Sequence, residues 1–275
     1  MRHPIASYTV LGSVLLAALV VPWLSPYDYA TPSWDALDLM PQWADGHWFG
    51  TDDLGRDLLV RLMWGCRISL LVGVLASLTS LVIGVGWGVT AGYAGGRTDA
   101  WMMRAVDVLY SVPFIPFVIV LTVIFGRNIV LLFVAIGAVS WLDIARIARG
   151  QALTLRQREF VEAARVGGMT SAQIIVRHII PNLLGIVVVY LTLTIPTVIL
   201  IEAFLSFLGL GAQAPLTSLG VMIAEGAAQL RSRPMLLLQP AVLLAVIVYC
   251  CNRIGDSLRD RFDPASLQDR GSGHG

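Results

Sequence analysis

Ile68-Ser-Leu-Leu-Val-Gly-Val-Leu-Ala-Ser-Leu-Thr-Ser-Leu-Val-Ile-Gly-Val-Gly-Trp-Gly-Val-Thr-Ala91 decides the fold. These 24 residues carry no charge. A helix rises ~1.5 Å per residue, so about 20 apolar residues cross the ~30 Å hydrocarbon core of a bilayer. The stretch is long enough to cross with tilt. Five more apolar stretches flank it, at Tyr8–Leu24, Leu109–Phe125, Asn128–Ala145, Leu183–Ile201 and Leu236–Cys251; only the fourth holds a charged residue, Asp143. The pattern predicts an all-α integral membrane protein with six transmembrane helices.

Composition points the same way. Of 275 residues, 56% are apolar and 13% charged, against about 45–50% and ~25% in soluble domains. Too little polar surface is available to coat a soluble globule, and disorder is excluded by the same imbalance. The net charge of +1 gives no reason to expect a nucleic-acid partner. All 19 basic side chains are Arg. Without Lys there is no P-loop nucleotide site and no Schiff-base chemistry in this chain, so ATP, if used, is held by another subunit. Cys66, Cys250 and Cys251 have no CxxC spacing and read as apolar fillers.

Orientation follows from the arginines. With six spans and both termini cytoplasmic, 13 of the 19 Arg lie inside, six of them between Arg146 and Arg177. Removing the fourth span would put that basic segment outside. The first stretch has one Arg before it and Pro22-Trp23-Leu24-Ser25-Pro26 after it, not a small-residue cleavage site, so it reads as an uncleaved anchor. The chain divides into an anchor and external segment (1–67), a core (68–255) with an inner loop at 146–182, and a tail (256–275). Residues 25–67, 146–182 and 206–235 are too long to be mere connections.

The inner loop reads Gln157-Arg-Glu-Phe-Val-Glu-Ala-Ala-Arg-Val-Gly-Gly-Met-Thr-Ser-Ala-Gln-Ile-Ile-Val-Arg-His-Ile-Ile-Pro-Asn182. Good helix formers run from Arg156 to Val166, with Phe160, Ala164 and Gly167 along one side. Gly167-Gly168 ends that helix. Thr170 or Ser171 caps a second one, striped by Ile174, Ile175 and Ile179. Such a pair is either an interfacial amphipathic hairpin or a knob that docks into a partner protein.

Glu162-Ala163-Ala164, then Gly168, then His178-Ile179-Ile180-Pro181 resembles the EAA loop of bacterial ABC importer permeases, and Arg177–Asn182 resembles the ending found in their peptide-importing branch. His47-Trp48-Phe49-Gly50-Thr51-Asp52-Asp53-Leu54-Gly55-Arg56-Asp57, Ser206-Phe207-Leu208-Gly209-Leu210-Gly211 and Ile254–Asp260 with Asp263-Pro264 resemble three further signatures of that family, in the right order. The chain is most similar to the C-type permease of the oligopeptide/dipeptide family. The resemblance implies a type I ABC importer permease fold in the bacterial inner membrane. It also implies a second permease, two ABC ATPases that bind ATP and Mg, and a periplasmic or lipid-anchored peptide-binding protein. In the family the loop docks on the ATPase, which assigns Glu162, Ala163, Ala164, Arg165, Gly168 and Pro181 to coupling. Dipeptide and nickel importers share the pattern.

Other residues carry weaker signals. Glu202, near the end of the fifth span, is open to two readings: lining the peptide route, or pairing with an Arg of the partner permease. Pro113, Pro116 and Pro196 loosen helices that border a route. Asp107 and Asp143 read as anchors at the cytoplasmic rim. Gly84, Gly88, Gly92 and Gly96 form a small-residue row for close packing. The His47–Asp57 segment matches no metal spacing. It reads instead as a short helix capped by Thr51 or Asp52, with Leu54, Leu58, Leu59 and Leu62 on its apolar face. Arg56 and Asp57 would tie that helix to the second span. An independent secondary transporter would need coupling residues within the spans, which are nearly charge-free. An enzyme would need a catalytic set, and the four His are scattered over loops and ends.

Overall fold

The computed structural model describes residues 5–43 and 45–262. Ten α-helices succeed one another: α1 (Ile5–Leu24), α2 (Leu58–Ala94), α3 (Gly96–Tyr110), α4 (Phe114–Phe125), α5 (Ile129–Leu155), α6 (Glu159–Val166), α7 (Ser171–Ile174), α8 (Ile180–Phe207), α9 (Leu219–Ala228) and α10 (Pro234–Phe262). No strand occurs among the described residues. Five helical stretches are long and apolar enough to cross a bilayer; α3 and α4, bent by 76° to each other, make a sixth, broken one. The tail signature at Asp263-Pro264 lies outside the described residues, and 256–262 continue α10 without a break.

The second apolar stretch becomes the axis of the molecule. α2 has 37 residues, which makes it about 55 Å long. Its glycine row faces α5. A Cβ on Gly84 would sit 2.7 Å from the Trp141 carbonyl oxygen, one on Gly92 would sit 2.6 Å from that of Arg149, and one on Gly88 would collide with that of Ala145. The row therefore lets the two backbones touch, as expected of small-residue packing. Gly96 is not part of it: at φ +54° it opens α3 with nothing close by. Higher up, Gly73 makes the same allowance for Ile199 of α8, and Gly65 for the backbone at Ser218. Apolar clusters fill the seams. One joins α1, α2, α8, α9 and α10 around Leu62, Ile199, Leu219 and Ile247; another joins α2, α5 and the loop helices around Val89, Ala152, Val161 and Ile179.

α1 is mostly exposed; besides its apolar contacts, one side chain ties it down by hydrogen bonds. Pro22 has no N–H, so the carbonyl of Ala18, four residues back, loses its helical donor. Arg67 of α2 fills the gap: its Nε donates to the Ala18 oxygen and its Nη2 to that of Leu19, while the guanidinium lies 4.8 Å from the Trp64 ring centre.

Two expectations are corrected here. The third apolar stretch, Leu109–Phe125, is not one helix. Leu109 and Tyr110 end α3, Ser111 donates back to the Val108 carbonyl through its hydroxyl at 2.7 Å, and Pro113 stands extended at the N-cap of α4. A residue preceding proline is kept out of the helical region, so the chain must turn. α3 is amphipathic and belongs to the surface of α5. Asp99 is held bidentately by Arg149 at 2.5 and 2.7 Å, Asp107 pairs with Arg146 at 2.9 Å, and Val106 is buried against Trp141 and Leu142.

The second correction concerns residues 51–57, which form a turn and no separate helix. Asp52 accepts the backbone N–H groups of Leu54 and Arg56, each at 2.9 Å, so its side chain brackets the turn. Helix begins only at Leu58, capped by Asp57, which accepts the Val60 N–H at 2.9 Å. Gly55 is needed in this turn: its φ is +73° and a Cβ there would overlap the Ser33 carbonyl. Arg56 does not reach the second span; it returns to Asp52 at 2.8 Å. The tie comes from Arg61, already inside α2, which bridges Asp52 and Glu225 of α9. His47 Nδ1 lies 2.9 Å from Asp57, and Tyr27 stacks on the His47 ring at 4.1 Å. Residues 25–57 thus form a small polar cap on one end of the bundle.

Candidate functional site: the loop helices and the cavity at the helix break

The loop leaves α5 through a turn at Arg156–Arg158 and enters α6. This helix starts at Glu159, three residues later than its composition predicts. It buries a single side chain, Val161, against Tyr93, Ala152, Ile174 and Ile179. Ala164 is half-buried and packs beside Val161, while Phe160 is exposed, its ring 6.2 Å from that of His178. Glu162, Ala163 and Arg165 are exposed, and Val166 is 85% exposed. An apolar side chain held that far out, on the side of the helix away from Val161 and Ala164, is available to another surface. Arg165 leans over the Tyr93 ring, 6.0 Å from its centre.

Gly168 ends α6 in the left-handed region at φ +84°. Its N–H donates to the Arg165 carbonyl, and that of Met169 to the Ala164 carbonyl, each at 3.1 Å; only glycine adopts this cap without strain. Thr170 then builds a complete capping box: its backbone N–H donates to the Gln173 side chain at 2.9 Å, and its hydroxyl accepts the Gln173 N–H at 3.4 Å. α7 does not stop before the next span. It widens into one π turn, Ile175–Ile179, and runs on as α8 past the exposed Pro181. Ser171–Phe207 is therefore a single helical rod of 37 residues. Of the six loop residues singled out from the sequence, Glu162, Ala163, Ala164 and Arg165 lie on α6, Gly168 makes the glycine turn, and Pro181 stands ten residues into this rod.

The second feature is a cavity of about 570 Å³ where the chain breaks between α3 and α4. Pro113 and Phe114 form one wall, Val139, Ser140 and Asp143 of α5 another, and Tyr190, Thr194 and Thr197 of α8 the third. Of the three residues expected along a route, only Pro113 reaches it. Pro196 is buried on another face of α8. Glu202 is 1% exposed and has partners of its own chain. It accepts the hydroxyls of Ser69 at 2.8 Å and Ser206 at 2.7 Å, and Ser69 in turn accepts the Leu219 N–H at 3.2 Å. It joins α2, α8 and α9. Asp143 was grouped with Asp107 as a rim anchor; the structure separates them. Asp107 has its arginine, whereas Asp143 is exposed in the cavity wall. No spacing in the sequence separates them: Arg146, three residues on from Asp143, is taken by Asp107 and by the Tyr110 ring at 4.3 Å.

The comparisons agree with this architecture. Residues 84–267 match the family described as the binding-protein-dependent transport system inner membrane component. The oligopeptide transport system permease protein OppC of Haemophilus influenzae is 50% identical over 263 residues, covering 96% of this chain and 85% of the relative. OppC of Escherichia coli K12 is 51% identical, with 96% and 87% covered. The dipeptide transport system permease protein DppC of Bacillus subtilis is 42% identical over 260 residues, with 94% and 81% covered. In fold, the chain is similar to a subunit of the inward-facing MetNI methionine ABC transporter, at a TM-score of 0.59 and 21% identity, over 74% of this chain and 96% of that one. The chain has that type I importer permease fold. With a matching family model over most of its length and relatives at half identity across nearly all of it, the chain belongs to the family of binding-protein-dependent transport system inner membrane components, as a multi-pass permease of the bacterial inner membrane.

Proposed function

We propose that this chain is one of two permease subunits of an ATP-driven importer of oligopeptides. The observation that carries the reading is the loop. α6 offers Glu162, Ala163, Arg165 and Val166 outward, and a glycine turn joins it to a helix that continues directly into a membrane span. Half identity to OppC proteins over nearly the whole chain supports oligopeptides as the cargo. The resemblance to DppC leaves dipeptides as the second reading. Both termini and the loop face the cytoplasm, in keeping with the arginine distribution. Two ABC ATPases bind ATP and Mg, a second permease completes the path, and a binding protein delivers cargo from outside. The chain itself is non-catalytic.

The mechanism follows from the mechanical continuity of the loop. When the ATPases close on ATP, the surface gripping α6 moves. Val161 ties α6 to α2 and α5, and the capping box at Thr170 makes the turn into α7 stiff. The displacement therefore passes into the rod that includes α8, and tilts it against α2. Coupling arises because the docked contacts differ between the two states of the assembly.

Gly168→Glu tests this reading. Any side chain at φ +84° is strained, and the carboxylate would stand on the docking turn. ATP-dependent peptide uptake is expected to be abolished with the chain still present in the membrane at normal level. Normal uptake would refute the docking role. Co-purification from gently solubilised membranes is expected to recover a second permease and ATPases; a chain that purifies alone would refute the assembly. Dipeptide uptake without tripeptide uptake would favour the second reading.

A further inference from the structure

The cavity at the helix break contains one charged group, and that charge has no counter-ion. Asp143 lies in the last turn of the fourth apolar stretch, three residues before Arg146. Among the described residues no Arg pairs with it: Arg146 is committed to Asp107 and Tyr110, and Arg149 to Asp99. A carboxylate among apolar walls is costly unless it faces water or a cationic partner. Asp143 faces a cavity of about 570 Å³, within the range of small-molecule sites. Around it stand hydroxyls of a particular kind. Thr194 donates to the Tyr190 carbonyl at 2.7 Å and Thr197 to that of Leu193 at 3.1 Å. Their protons are spent on their own helix, so what they offer outward is acceptor lone pairs. Thr194 and Thr197 thus offer acceptors beside a single negative charge, between apolar walls.

We propose that Asp143 is a cargo subsite within the translocation path, binding the cationic nitrogen of a passing peptide while Thr194 and Thr197 accept its N–H groups. This rests on the importer reading above and adds the site at which cargo is recognised inside the membrane. The cation is either the α-ammonium, present in every free peptide, or a basic side chain.

The test uses the complete importer with its binding protein, in liposomes, carrying wild-type chain, D143N or D143E, with Ala-Ala-Ala and Ala-Lys-Ala as probes. D143N is expected to lower ATP-driven uptake roughly tenfold, the worth of one modest charge pair, and D143E to restore most of it. A fall for both peptides assigns the α-ammonium; a fall for Ala-Lys-Ala alone assigns the side chain. Uptake unchanged by D143N overturns the subsite and leaves the importer reading intact. Equal losses in D143N and D143E, or loss of subunit association in D143N, mark Asp143 as structural and overturn it too. A wild-type assembly that moves neither peptide overturns the importer reading, and the subsite with it.

Discussion

At the scale of single residues, glycine and buried polar groups decide most. Gly86 and Gly88 lie two positions apart on α2 and look alike in sequence. A Cβ on Gly86 meets nothing within 4 Å, whereas one on Gly88 runs into the backbone of α5. G88A is expected to lower stability by about 1–3 kcal/mol through overpacking, and G86A to be neutral or to raise it by up to ~1 kcal/mol through helix propensity. Thermal unfolding of the two variants in detergent separates them; equal midpoints would mean that α2 and α5 are not in backbone contact. That the row exists was legible in the sequence, from its spacing of four. Which of its members touch was not, because that depends on the partner helix. Glu202 has the same history: its presence in an apolar span was plain, yet its partners Ser69 and Ser206 come from positions 133 residues and four residues away.

At the scale of elements, helices end or persist according to who satisfies their backbone. α1 keeps its proline because Arg67 supplies the donor that Pro22 removes. R67L should leave the Ala18 carbonyl unpaired in an apolar setting, at about 1–3 kcal/mol. Adding P22A should recover most of that loss by restoring the N–H within the helix. The double variant unfolding at the same temperature as R67L alone would refute this account. The opposite case is the third apolar stretch. Its hydropathy favours one span, but Pro113 and the ion pairs of Asp99 and Asp107 with α5 leave its first two residues at the end of a separate helix. Hydropathy measures transfer into lipid and is blind to such pairing. The loop's helix, glycine turn and second helix were legible because their signals are local: a glycine pair, a Thr or Ser cap and an isoleucine stripe.

At the scale of the molecule, the polar cap of residues 25–57 is fastened to the bundle by two arginines. Arg61 spans Asp52 and Glu225, and Arg233, at the start of α10, reaches Asp38 and the neighbouring carbonyls. Arg61 and Asp52 are both nearly enclosed, and removing one partner of a buried pair costs about 3–5 kcal/mol. R61M is therefore expected to free the cap locally while the spans persist. Limited proteolysis should then cut within 25–57 at least tenfold faster, given that ~1.4 kcal/mol is a tenfold change in an opening equilibrium. Unchanged cleavage would show that the cap is held by its own packing, as by Tyr29 on Trp64 at 4.5 Å.

Sequence alone determined that this chain lives in a membrane, where five of its spans run, and which family it belongs to. Those properties depend on local composition and on motifs continuous in the chain: charge-free runs of bilayer length, and a loop whose helix signals are complete within 26 residues. Tertiary structure decided which of the lone acids is satisfied and which is not. Asp52, Asp99, Asp107 and Glu202 find partners within the chain, and Asp143 is turned to a cavity. The reason is physical. A charge in an apolar bundle is neutral to the fold or available to a ligand according to what a different helix brings within 3 Å or so of it, and that is a property of packing, not of spacing.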